Sequence, residues 1–351
     1  MLNDWLAHLL RGRGGNADKT SQGTLAKSST RDYYREHDAG KHRGMYIAAT
    51  CVLMAVLVVS AVQLISYASE YLAAQRVSDE LREIYYSGET TDLPEEATQT
   101  PAPAAETDMT EDTTVPAAQA KAEQPQQPDP NRKLEKIPYP ENPYLVKKDR
   151  FKELQRQNKD IIGWLKADYL IDEAVVQRNN TYYLDRDYLG NQNKNGALFL
   201  DENCSLKTRP YTLMIFGHNM QSGAMFGVLR NYENKSFLIK NPFISFESVY
   251  EKGRYVIFAV STISTDADDK NYVNLTRLNS MTASVREEAI NALERWSTFT
   301  SVLDVQAEDQ LLLLITCVDD PDERRIVCAR RVRDGESENA LVKKLEQMWK
   351  K

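Results

Sequence analysis

The 351-residue chain is poor in the residues that build metal sites and disulfide frameworks. It holds four cysteines, Cys51, Cys204, Cys317 and Cys328, and four histidines. A structural zinc site needs a close cysteine pair with a second pair or histidines nearby, and no such spacing occurs. The residues therefore call for no metal and no cofactor. Four cysteines over this length are too sparse for a disulfide framework, although spacing alone leaves a single Cys204–Cys328 pair open. Positive charge is also in deficit: 44 Lys and Arg stand against 51 Asp and Glu, a formal net charge of −7. A nucleic-acid binder needs a basic face to neutralise phosphates, so that class is set aside. Proline is scarce outside one stretch, since ten of the thirteen prolines fall between Pro94 and Pro143.

One long segment lacks charge altogether. Met45 to Ala68 reads MYIAATCVLMAVLVVSAVQLISYA, and roughly 20 such residues suffice to cross a bilayer as a helix. A buried core helix of this length would show a polar face, and a cleaved signal peptide has a shorter apolar region. Residues 45–68 are therefore expected to form a transmembrane helix. Residues 1–44 carry eight Lys and Arg against five acids, with Lys41 and Arg43 just before the span and Glu70 after it. The positive-inside tendency puts 1–44 in the cytoplasm and the remainder outside, a single-pass protein of the cell membrane. Cys51 inside the span reads as an apolar packing residue.

Residues 69–143 read as a stalk and an acidic, proline-rich linker. Residues 70–86 continue the helix, and the segment after them has too few large apolar residues to offset its ordering entropy. From Tyr144 the composition turns globular, and 144–335 is expected to be the catalytic domain, followed by a helix over 336–351. Short apolar runs alternate with turn residues, and strands are expected at Ile161–Leu165, Ala174–Gln177, Tyr182–Leu184, Ala197–Leu200, Tyr211–Phe216, Phe243–Phe246, Arg254–Ile263, Leu311–Cys317 and Arg325–Val332. Helices are expected at Lys147–Lys159, Met225–Tyr232 and Thr282–Thr298, the last with Val285, Ala289, Ile290, Leu293 and Trp296 spaced for one apolar face. Mostly strands with a few helices suggest a mainly-β barrel or sandwich.

Three residues stand out chemically. His218 is the only histidine beyond the span, presented where the apolar run YTLMIF ends at Gly217. A histidine is poised for proton transfer near neutral pH. Cys317 ends the run LLLLITC, and strand alternation groups it with Leu311, Leu313 and Ile315. A cysteine at a strand end can meet a substrate; Cys204 and Cys328 read as small buried hydrophobes. The loop Val318, Asp319, Asp320 and Pro321 leads to Arg324 and Arg325, on opposite strand faces. A hairpin would bring one of them beside Cys317, where a guanidinium could stabilise an oxyanion.

These residues resemble a known family. QNKDIIGWL, VVQ followed by NNTYYL, GALFLDENC, GHNMQSGAMFGVL, KNPFISF, ITC and RRIVCARRV stand in the order and approximate spacing of class B sortases, over roughly Phe151 to Val332. The resemblance implies a mainly-β, eight-stranded sortase-type barrel with N-terminal helices, a helix inserted before the cysteine strand, and a preceding transmembrane helix. It implies catalysis by His218, Cys317 and Arg325, with Arg324 the lesser match. It also implies substrate contacts at Asn180, Tyr182, Ile315 and Thr316. Many relatives carry Ser or Thr where this chain has Ile315. The implied activity is a cysteine transpeptidase that cuts the C-terminal sorting signal of secreted proteins through a thioester. The product then passes to an amine acceptor, in the family usually a peptidoglycan precursor of a Gram-positive cell wall. Hydrolysis by the same dyad, pilus-type polymerisation, and a scaffold with a decayed site are the competing readings. A SHGC-type nucleophile motif of unrelated wall-crosslinking enzymes is absent.

Overall fold

A computed structural model describes residues 28–88, 129, 131–318, 320 and 322–347. The expectations for residues 1–27, most of the linker, Asp319, Pro321 and the last four residues lie outside the described residues. The chain divides into two units, Met1–Tyr67 and Ala68–Lys351. Helix α1, Ser28–Ser87, begins in the first. By length and composition its stretch Gly44–Ser87 is a candidate membrane span: it holds an 18-residue window with a mean hydropathy of 2.4, none of which is buried.

In the second unit eight strands close into a barrel. They are β1 Ile161–Ala167, β2 Ile171–Val176, β3 Phe199–Leu200, β4 Thr212–Phe216, β5 Phe243–Ser248, β6 Lys252–Ser264, β7 Leu311–Cys317 and β8 Glu323–Arg331. The order around the barrel is β1-β2-β3-β4-β7-β8-β6-β5, with β5 returning to β1 through Leu165 and Phe246. Two neighbouring pairs, β2–β3 and β4–β7, are parallel. The β4–β7 pair carries the consequence for function, because parallel strands end at the same rim of the barrel. Strand β7 lies between β4 and β8, and every residue from Leu311 to Thr316 is buried. That explains its unbroken apolar run: a strand covered on both faces needs no polar alternation.

Among the described residues the α-helices are α1, α2 Asp149–Gln157, α3 Lys235–Lys240, α4 Ala283–Arg295 and α5 Glu338–Glu346. Helix α4 buries Ala283, Arg286, Ala289, Ile290 and Leu293, one stripe at helical spacing. Its Leu293 carbonyl accepts a hydrogen bond from Ser261 of β6 at 2.6 Å. The end of α1 is part of this body. Tyr85 stacks on Trp164 with ring centroids 4.3 Å apart, and its hydroxyl donates to Glu247 at 2.5 Å. Residues 131–143 also pack on the barrel, although their prolines read as linker. Leu134 and Tyr139 are buried, and the Leu134 amide donates to Met281 at 2.7 Å.

Two local expectations change. Tyr182–Leu184 is a 3-10 turn rather than a strand; Asn179 accepts from the Thr181 and Tyr182 amides and curls the backbone there. The stretch at Met225–Tyr232 is a 3-10 segment, Gly227–Glu233, rather than an α-helix. A Cβ on Gly227 would stand 1.9 Å from the Met220 carbonyl oxygen, so the backbones approach there as only glycine allows. The open cysteine pairing also resolves: Cys204 and Cys328 are both free and buried.

One buried acid gives a pH-dependent expectation. Glu173 on β2 faces Arg82 and Ser78 of α1 and Tyr188, with Asp172 and Asp79 nearby, and its Oε2 is buried without a hydrogen bond. Burial pushes its carboxyl up to about 7 from 4.5. The fold favours the protonated form, so this contribution to stability is full below 4.5 and lost as pH rises through about 7. Glu173→Gln should therefore raise the melting temperature at pH 8, with the gain shrinking toward pH 5. A melting series on both proteins that shows no pH-dependent difference would contradict this.

Candidate active site

Strand pairing builds the site. In the β4–β7 pair Phe216 lies beside Ile315, and the Gly217 amide donates to the Ile315 carbonyl at 3.2 Å. The Thr316 hydroxyl donates back to the Gly217 carbonyl at 2.7 Å. The next residue on each strand is His218 and Cys317, so the two leave the barrel at one rim, side by side. They line one open cleft of about 510 Å³ together with Lys194, Asn219, Arg230 and Val318. A larger cavity of about 750 Å³ lies at the other rim, around Tyr139, Arg209, Glu251 and Arg331, and contains neither histidine nor cysteine.

His218 is held by contacts that its own strand does not supply. Its Nε2 lies 2.6 Å from the Leu184 carbonyl oxygen. A carbonyl only accepts, so Nε2 carries a proton and Nδ1 is left to exchange one. Gly196 packs against the same group with φ +63°; a Cβ there would stand 2.9 Å from the Leu184 oxygen and 3.0 Å from His218 Cδ2. Gly196→Ala should displace the ring and lower turnover about tenfold or more, since small misplacements of a catalytic group are costly. Turnover at an unchanged rate in a folded Gly196→Ala protein would show that the ring position is unimportant.

Cys317 is exposed, in contrast to the other thiols beyond the apolar helix. Burial pushes the Cys204 thiol up to about 12, and the Cys328 thiol further. A thiolate is the nucleophilic form, so neither serves as one near neutral pH. The two arginines are divided by register. Arg324 pairs directly with Cys317, and Arg325 with Thr316. Arg325 donates to Glu233 at 2.7 Å and is not among the residues lining the cleft. Arg230 does line it, on the 3-10 segment that also carries Glu233.

The residues expected to touch substrate are placed unevenly. Ile315 and Thr316 are 1% and 2% exposed and are not among the residues lining the cleft. Asn180 spends both ends of its amide on one turn, donating to Asp201 at 3.0 Å and accepting from the Glu202 amide at 2.9 Å. The ring of Tyr182 lies between the guanidinium groups of Arg178 and Arg186, at 3.9 and 4.5 Å. Asn219, Arg230, Lys194 and the Leu184 carbonyl were not singled out from sequence. Asn219 and Arg230 had a signal, since both lie in or just after the GHNMQSGAMFGVL run. Lys194 and a backbone carbonyl in a polar loop had none. Among the described residues no three His, Cys, Asp or Glu side chains gather as a metal ion would require.

The family described as Sortase domain matches residues 170–332. The chain is 33% identical over 177 residues to sortase B of Listeria monocytogenes, which covers 50% of this chain and 70% of that protein. The chain belongs to the class B sortases. It is also 29% identical over 187 residues to sortase B of Staphylococcus aureus, covering 52% of this chain and 74% of the relative. A structure of sortase B from Bacillus anthracis superposes with a TM-score of 0.52 over 75% of this chain and 97% of that one, at 21% identity, which speaks to the fold alone. The sortases are cysteine transpeptidases, so this chain is an enzyme of that type. The mainly-β, eight-stranded barrel of the family is the barrel described above.

Proposed function

We propose that this sortase cuts the C-terminal sorting signal of secreted proteins and joins them to an amine, that of a cell-wall peptidoglycan precursor. The observation that carries the reading is that His218 and Cys317 line one open cleft at the shared rim of two parallel strands. Cys317 Sγ attacks the scissile carbonyl as thiolate. The C–N bond breaks as the C–S bond forms, and His218 gives its proton to the departing amine. In the second half the acceptor amine forms a new C–N bond while the C–S bond breaks. Its proton passes to His218, and the electron pair returns to Cys317.

Arg325 is assigned to the substrate and the oxyanion by the family's arginine-led last strand, with Glu233 holding its guanidinium until substrate arrives. Asn180 and Tyr182 precede Leu184, whose carbonyl holds the His218 ring, so a peptide lying along that turn reaches the catalytic pair. On this reading residues 45–68 anchor the enzyme, with the N-terminus in the cytoplasm. Residues 69–143 lead to a catalytic domain at 144–335 outside the membrane, and helix α5, Glu338–Glu346, follows it. The test is product analysis with the full chain in detergent and a library of sorting-signal peptides. Amine-linked product is expected when an amine is added. Cleavage that never incorporates amine would replace the transpeptidase by a hydrolase.

A further inference from the structure

The charge of the cleft is unusual for a protein of net −7. Among the described residues no Asp or Glu lines it, while Lys194 and Arg230 do. Lys194 is partly compensated by Glu70 at 3.7 Å, an exposed pair. Arg230 has no such partner. Its Nε donates to the Gly227 carbonyl at 2.8 Å, and its Nη2 to the Met220 and Gln221 carbonyls at 2.9 and 3.2 Å. Those bonds fix the guanidinium over the loop that follows His218 but leave its charge unneutralised. Among the described residues Nη1 has no protein acceptor. The other cation assigned to catalysis, Arg325, is already held by Glu233. Asn219 adds the converse feature: its Oδ1 is buried with no hydrogen bond, an acceptor without a donor, on the residue next to His218. Asn219 pairs with Met225, the Phe226 amide donates to the His218 carbonyl at 3.0 Å, and Gly227 lies tight against Met220.

Among the described residues two cations line this cleft and no carboxylate does, a field that disfavours a simple ammonium. A primary amine that also carries a carboxylate would suit the guanidinium of Arg230. Its carboxylate would meet the planar fork of Arg230, which matches two carboxylate oxygens. We propose that Arg230 reads a carboxylate on the acceptor amine, making it the residue that sets acceptor specificity. This rests on the transpeptidase reading above and narrows it to zwitterionic acceptors.

The experiment uses the full chain in detergent, a cleavable sorting-signal peptide, and two matched acceptors, lysine and lysine amide. They differ in the carboxylate and share both amines. The wild type should use lysine about fivefold better in kcat/KM, the upper end of what one exposed ion pair supplies. Arg230→Gln should bring the two acceptors level, and Arg230→Lys should keep most of the preference. The ratio is measured within each variant, so a general loss of folded enzyme does not move it. Equal use of both acceptors by the wild type overturns the inference while leaving transpeptidation intact. A preference that survives in Arg230→Gln overturns it equally. A second arm varies the peptide, with Asp against Asn after the scissile bond. A preference for Asp that depends on Arg230 assigns the carboxylate to the sorting signal and overturns the acceptor assignment. If the wild type forms no amine-linked product at all, the transpeptidase reading falls and this inference with it.

Discussion

Cys317→Ala should reduce both cleavage and amine transfer to background, a loss on the order of 10³-fold or more. The size follows from the chemistry, since without a nucleophile no thioester forms and neither half-reaction has a path. The fold should be indifferent to the change. Cys317 is exposed at the last position of β7, where truncation opens no cavity, and surface substitutions of this kind stay within about 0.5 kcal/mol. Cys328→Ala makes the contrasting control. It sits at 0% exposure on β8, opposite Leu313, so its removal should lower the melting temperature yet leave activity per folded molecule unchanged. The pair separates a catalytic thiol from a packed one by two assays, turnover and thermal melting. Residual turnover in Cys317→Ala equal to that of the wild type would remove it as nucleophile.

Arg286→Met should cost about 3–5 kcal/mol of stability, the range for removing one buried charged hydrogen-bonding partner. Arg286 stands on α4 with no exposure. Its guanidinium donates to the carbonyls of Leu278 and Asp309 at 2.7 Å, Tyr211 at 3.1 Å and Ala307, and it lies 4.8 Å from the Tyr211 ring centroid. One side chain thereby joins α4 to the turn before it and to the chain entering β4 and β7, the two strands that end at His218 and Cys317. Burial pulls its pKa down to about 10, which still leaves it charged at neutral pH. Methionine fills similar space but donates nothing, so four carbonyls lose a donor at once. Chemical denaturation of both proteins measures the difference. A loss under about 1 kcal/mol would mean that these carbonyls find water or new partners easily.

Arg286 also shows where reading residues alone runs short. The stripe of Val285, Ala289, Ile290 and Leu293 was legible as the buried face of a helix, because apolar spacing repeats at the helical period. An arginine on that stripe reads as solvent-facing until the surrounding carbonyls are known, and they come from the turn before the helix and from two more distant segments. The same division holds for the site. His218 and Cys317 were legible because each follows an apolar strand and precedes a polar loop. Their closeness depends on the parallel β4–β7 pairing, which joins strands about a hundred residues apart and leaves no local mark. The opposite faces of Arg324 and Arg325 followed from alternation. The register that sets Arg325 across from Thr316 depends on the length of the turn, and its tie to Glu233 on a further segment. Tyr182–Leu184 looked like a strand because aromatic residues favour strands, and the Asn179 side chain overrode that preference.

The most direct test of the central claim is the mass of the full chain after reaction with a cleavable sorting-signal peptide and no amine, followed by mapping of the modified residue. The account predicts an increase equal to the acyl part of the peptide, carried on Cys317 alone and lost when an amine is added. An adduct on another residue, or cleavage with no adduct on Cys317 at any time point, would contradict it.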